Sequence, residues 1–166
     1  MSFADRLKKG QIGERIVDEW LISKGFVPYR PIAGAAHPFD RLVASRDKRK
    51  ILVVEVKSKP AREKYGDQGI ETRHYEDYKH ISEKYGIRIF IAFVDEDAAR
   101  IYGSFLDELE KPQGRYPLKY PDRVYFSPKH MRDIAQLTRE QCAELRALRV
   151  SNYKSGAGSG AGRTAP

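Results

Sequence analysis

Asp40, Glu55 and Lys57 are the residues of this chain best placed by type and spacing to do chemistry. Glu55-Val56-Lys57 closes the apolar run Ile51-Leu52-Val53-Val54, which reads as a buried strand. Residues two apart on a strand share a face, so Glu55 and Lys57 point one way while Val56 turns into the core, its carbonyl available at the strand edge. A hard divalent cation such as Mg2+, or Mn2+ in its place, takes one or two carboxylates together with water and phosphate oxygens. Asp40, Glu55 and the Val56 carbonyl make up the protein's share of such a site. The Lys57 ammonium would orient the attacking water and offset negative charge developing on phosphorus. The chemistry expected of this set is phosphodiester hydrolysis. The competing reading, an exposed Glu55–Lys57 ion pair with Asp40 merely ending a turn, is worth little energetically and fits poorly with so apolar a strand.

These residues need elements to hold them. Ser2 to Lys24 is expected to be a helix, with Ser2 as N-cap, Ile12, Ile16, Val17, Trp20 and Leu21 as its apolar stripe, and Lys24-Gly25 as its stop. Glu14 lies on the border of that stripe, where it either reaches the site as a supporting or water-mediated metal contact or is a solvated residue pairing with Arg15 and its helix neighbours. Phe39 to Ser45 and Lys50 to Lys57 read as strands joined by the turn Arg46-Asp47-Lys48-Arg49, and so short a connection implies antiparallel pairing. Ser58 to Gly69 is polar and is expected to be a mobile loop. A helix from Glu71 to Tyr85 follows, with Tyr75, Tyr78, Ile81 and Tyr85 spaced to pack on the sheet. The buried strand Ile87 to Val94 is then expected to lie parallel to the Glu55 strand, because the helix supplies the crossover that parallel pairing needs.

With Glu14 on the first helix, Asp40 on a strand and Glu55-x-Lys57 on the next, the stretch from Ser2 to Asp95 resembles the PD-(D/E)xK nuclease superfamily, in particular its Holliday-junction-resolvase and restriction-endonuclease-like branches. The resemblance implies an α/β fold, a restriction-endonuclease-like mixed central sheet flanked by helices. It also implies Mg2+-dependent hydrolysis of DNA with Glu14, Asp40, Glu55 and Lys57 as the catalytic set. Two departures stand out. The family's proline directly precedes its aspartate, whereas here the order is His37-Pro38-Phe39-Asp40. The glutamine that resolvase-like families often carry on the crossover helix is missing, with Gln68, Arg73, His74 and Tyr75 as the nearest substitutes.

Composition agrees with a polyanionic partner. The chain carries 31 Lys and Arg against 23 Asp and Glu, for a formal net charge of +8. Lys59, Arg62 and Lys64 in the polar loop, Arg73 at the helix start, and Arg115 and Lys119 in the Pro- and Tyr-rich stretch Lys111 to Pro121 are the candidate DNA contacts. Tyr116 and Tyr120, interleaved with them, either meet exposed bases or pin that stretch, and pinning is the preferred reading. A nucleic-acid-binding module without turnover is the alternative function, but it has no use for carboxylates aimed at phosphates.

Ile101 to Phe105 and Arg123 to Phe126 read as short strands. Ser127-Pro128 reads as the start of a helix, and Thr138 with Gln141 forms a capping box for another ending near Val150. Residues 1–150 are expected to form one nuclease-like domain, and 151–166 a flexible Gly/Ala/Ser tail of the kind an expression fusion leaves behind. A lone cysteine, Cys142, excludes an internal disulfide framework. No run approaches a membrane span, so the expectation is an intracellular protein without membrane contact, compatible with a homodimer.

Overall fold

The computed structural model describes residues 2–31 and 39–148. His37, Pro38, the expected helix end at Val150 and the 151–166 tail lie outside them. Helix α1, Phe3–Ser23, opens with a reciprocal cap. Ser2 Oγ accepts the Asp5 N–H and the Asp5 carboxylate accepts the Ser2 N–H, each at 3.1 Å, which satisfies donors the helix itself cannot. Strands β1 (Val27–Tyr29), β2 (Arg41–Ala44) and β3 (Ile51–Ser58) follow. Next come β4 (Gln68–Glu71), helix α2 (Thr72–Tyr85), β5 (Arg88–Asp95) and β6 (Arg100–Phe105). The short helix α3 (Leu106–Leu109), β7 (Leu118–Lys119), β8 (Arg123–Phe126), β9 (Arg132–Gln136) and helix α4 (Arg139–Ala147) complete the order.

Six strands form a mixed sheet in the order β1-β2-β3-β5-β6-β9. β2 meets β3 antiparallel, with Arg41 opposite Val54, and β3 meets β5 parallel through the α2 crossover, as the sequence predicts. The period-two alternation of β3 divides its side chains between two cores. Val54 and Val56 face α1 and α4, packing with Ile12, Ile16, Val17, Leu21 and Leu145. Val53 faces α2 and a second, three-stranded sheet, β4-β8-β7, packing with Tyr75, Tyr78, Ile89, Phe93 and Phe126. Each fully buried valine or leucine contributes about 1.5–3 kcal/mol, so register on β3 is firmly fixed: a one-residue slip would put Glu55 among the α1 aliphatics. Helix α4 is capped as expected, Gln141 N–H on Thr138 Oγ1 at 3.2 Å and Thr138 N–H on Gln141 Oε1 at 2.9 Å.

Three expectations are corrected. Ser127-Pro128 opens only a three-residue 3-10 turn, Pro128–His130, after which the chain becomes the edge strand β9. Ser127 does cap the turn, but Ile134 and Leu137 then join the apolar layer between the sheet and helices α1 and α4. Tyr85, expected to pack on the sheet, is 61% exposed. The stretch after β3 is pinned rather than loose. Asp67, fully buried, takes both Arg62 Nε at 2.6 Å and Nη2 at 2.7 Å and is also bonded by the Tyr116 hydroxyl at 2.6 Å. Ala61 N–H reaches Asp95 at 3.0 Å. Polar anchors do here what apolar ones do elsewhere, and the phenol of Tyr116 pins its loop as expected. Among the described residues no helix is long and apolar enough to cross a membrane.

Candidate active site

Glu55 and Lys57 leave β3 on the face that carries α2, as their spacing requires. Glu55 is 4% exposed. Its Oε1 lies 2.7 Å from Lys57 Nζ, and its carboxylate is also hydrogen-bonded by the Tyr78 hydroxyl from the middle of α2. Burial and the carboxylates of Glu55 and Asp40 push the Tyr78 phenol far above its ordinary value, so it stays a donor. Lys57 Nζ is 3.5 Å from Nδ1 of His74, in the first turn of α2.

Asp40 arrives from the residue before β2. Its backbone N–H lies 3.2 Å from Glu55 Oε2, and its own Oδ2 accepts the N–H of Val56 at 2.7 Å. The Val56 N–H therefore faces the edge of β3 beyond the last β2 pair, and in an extended strand the carbonyl of the same residue faces that edge too. Burial, then the neighbouring Glu55 carboxylate, pushes the Asp40 carboxyl up to about 7, against the lowering effect of the Val56 N–H. Two carboxylates held together with little access to water repel each other unless a proton or a cation joins them.

Those donors fit a hard divalent ion. Among the described residues no three His, Cys, Asp or Glu side chains gather to hold an ion by themselves. Two carboxylates and a carbonyl leave the remaining positions to water and phosphate oxygens, the coordination that Mg2+ favours.

Glu14 comes from the opposite layer, on α1, and does not touch Asp40 or Glu55 directly. Its Oε2 bonds Arg41 Nη2 at 2.9 Å. Arg41, 2% exposed, also binds Asp18 through Nε at 2.7 Å and donates to the Asp40 carbonyl at 2.6 Å. One guanidinium thus ties α1 to the residue that brings the aspartate into place. Arg41, Asp18 and the hydrogen-bonding role of Tyr78 escape a sequence reading. The signal available for the first two was that Glu14 and Asp18 lie one turn apart on α1, on the border of its apolar stripe.

The expected DNA contacts separate. Lys59 turns inward, its Nζ on the Gly69 carbonyl, and burial beside Arg123 and Lys57 lowers it to about 8. This corrects the expectation of an outward cation. The Arg62 fork is likewise taken by Asp67. Lys64, Arg73, Arg115 and Lys119 are exposed, with Lys119 Nζ 5.1 Å from the Tyr75 ring centroid and Arg73 Nη2 3.2 Å from His74 Nε2. Gln68 faces the interior, on the Tyr102 hydroxyl, and is not a substitute for the family's glutamine.

No protein-family profile matches the chain, and no curated protein matches it by sequence. Solved structures do match. Hjc, a Holliday junction resolvase from the archaeal hyperthermophile Archaeoglobus fulgidus, superposes with a TM-score of 0.52 at 16% identity, over 72% of this chain and 89% of that one. A nuclease from a fusselovirus superposes with a TM-score of 0.50 at 14% identity, over 86% of this chain and 92% of that one. The mixed sheet with flanking helices described above matches the fold of these two proteins. At this level of identity the likeness concerns architecture alone: the chain has the fold that the resolvase and the viral nuclease share.

Proposed function

We propose that the protein is a Mg2+-dependent nuclease that hydrolyses DNA phosphodiester bonds. The observation that carries this is the pairing of half-buried Asp40 with buried Glu55 at the open edge of β3, with Lys57 2.7 Å from Glu55. Asp40, Glu55 and the Val56 carbonyl would hold the ion, with Mn2+ able to replace Mg2+. When bound, the ion supplies Lewis-acid polarisation of the phosphate. Lys57 positions the attacking water and meets negative charge as it builds on the phosphoryl oxygens. Tyr78 fixes the Glu55 carboxylate, and Arg41 holds the Asp40 backbone while Glu14 and Asp18 hold Arg41. The net positive charge of the chain favours a polyanionic substrate, with Lys64, Arg73, Arg115 and Lys119 as its exposed contacts.

Incubating the protein with duplex, branched, nicked and single-stranded DNAs, in Mg2+ and in chelator, tests this. Strand breaks that require the metal are expected on at least one of them. Complete lack of metal-dependent breakage across the set would refute the proposal.

A further inference from the structure

We infer that Tyr125 of the second sheet, with the loops that flank that sheet, forms a stacking platform for unpaired single-stranded DNA that continues from the strand cut at the Asp40–Glu55 site. The placement of that strand rests on the nuclease function proposed above. The platform is a continuous row of flat groups. The Arg115 guanidinium lies 4.6 Å from the Tyr65 ring centroid, and the Arg62 guanidinium lies 4.6 Å from Tyr65 and 3.7 Å from Tyr125. Tyr125 then meets Tyr120 edge to face, their centroids 5.9 Å apart. Two rings of the row are open to solvent, Tyr65 at 42% and Tyr120 at 46% exposure.

Charge on this face suits a phosphate backbone. Asp67 is buried beneath Arg62, and Arg123 lies 3.3 Å from Glu71, leaving Lys64, Arg115 and Lys119 as exposed cations against the exposed acids Glu63 and Asp122. The row also abuts the proposed active site. Tyr125 lies flat across β4 because Gly69 has no side chain: a Cβ there would come within 2.6 Å of Tyr125 Cδ1. The Gly69 carbonyl in turn accepts from Lys59, two residues beyond Lys57.

Bases stack on aromatic rings and guanidinium planes, while neighbouring cations meet the phosphates. A blunt duplex keeps its bases stacked on one another and can use only the cations. An acidic protein surface would use the cations and ignore the rings. The combination therefore selects DNA with an unpaired segment next to the scissile phosphate.

The test uses the full chain in Ca2+, with anisotropy on a duplex bearing an unpaired DNA tail and on the same duplex blunt-ended. A 2-aminopurine in the tail reports stacking. Tighter binding of the tailed duplex and quenching of the probe are expected. Tyr65→Ala and Tyr120→Ala should each weaken tailed binding roughly five- to a hundredfold and restore the fluorescence, while blunt-duplex binding stays unchanged. Tyr65→Phe and Tyr120→Phe should behave as the parent, which separates ring stacking from hydroxyl bonding and from misfolding. Equal binding of tailed and blunt duplexes by the parent, alanine variants indistinguishable from it, or preference for an RNA tail over a DNA tail would overturn the inference. Tail preference without metal-dependent cleavage would support the platform and count against the nuclease. Cleavage without tail preference would do the reverse.

Discussion

The backbone N–H of Asp40 lies 3.2 Å from Oε2 of Glu55, and one residue further along β3 the Val56 N–H points back to the Asp40 carboxylate at 2.7 Å. The two acids are thus locked side by side by main-chain donors, and neither can swing away to relieve the repulsion between them. A charge conflict so rigidly built is costly to the metal-free protein and is removed by a cation.

That conflict gives a pH signature. The Asp40 carboxyl, near 3.8 when unfolded, is raised to about 7 in the fold. Between those values the native state binds the extra proton, so in chelator the stability contributed by this group falls as pH rises and levels off above 7. Asp40→Asn keeps an acceptor for Val56 and abolishes the charge. Scanning fluorimetry should show a higher Tm than the parent in chelator at pH 8 and little difference at pH 4. In the parent, Mg2+ or Mn2+ should raise Tm more at pH 8 than at pH 5. A parent protein whose Tm is indifferent to both metals across that range would contradict the site.

Lys57→Ala should lose about a hundredfold or more in single-turnover cleavage with a much smaller change in DNA affinity, because its charge is needed most as the transition state develops. Single-turnover rates and anisotropy titrations in Ca2+ separate the two effects. Normal cleavage would remove Lys57 from the mechanism.

Arg41→Met should destabilise the fold by about 3 kcal/mol in urea, since Asp18, 8% exposed, keeps Arg30 at 2.6 Å but loses its buried partner. Cleavage should fall as well, because the Asp40 carbonyl loses the donor that holds it. Arg41→Lys, lacking the fork that spans Asp18, Glu14 and Asp40, should recover only part of both.

Gly13→Ala should cost about 1–3 kcal/mol, because a Cβ there would overlap Ser58 Oγ on β3. Combining it with Ser58→Ala should recover part of that loss, and additive effects in the double mutant would show that the two sites do not meet.

Much of this organisation is legible in the sequence where periodicity and capping act locally. The β3 alternation, the α1 stripe behind Ser2, the Thr138 box and the α2 crossover each carry their own signal. The short strands β1, β4 and β7 do not, because their existence depends on neighbours distant in sequence rather than on a local pattern. Ser127-Pro128 is an honest cap whose downstream residues are claimed by the sheet. The loop after β3 reads as mobile because it lacks apolar anchors, whereas Asp67, Arg62 and Tyr116 fix it through a pairing that spans 49 positions. Within the candidate site, Asp40, Glu55 and Lys57 were legible from motif order. Arg41 and Tyr78 were not, because an arginine after an aspartate and a tyrosine on a packed helix reveal their partners only when the layers close.

The central claim, that Asp40 and Glu55 together hold the divalent ion used to cut DNA, is tested most directly by comparing cleavage by the parent, Asp40→Asn and Glu55→Gln in Mg2+ on the best DNA substrate, with circular dichroism confirming the fold. The parent should cleave and each variant should fall by about a thousandfold or more, in keeping with the several kcal/mol that a metal contributes to phosphoryl transfer. Near-parental rates in either folded variant would contradict it.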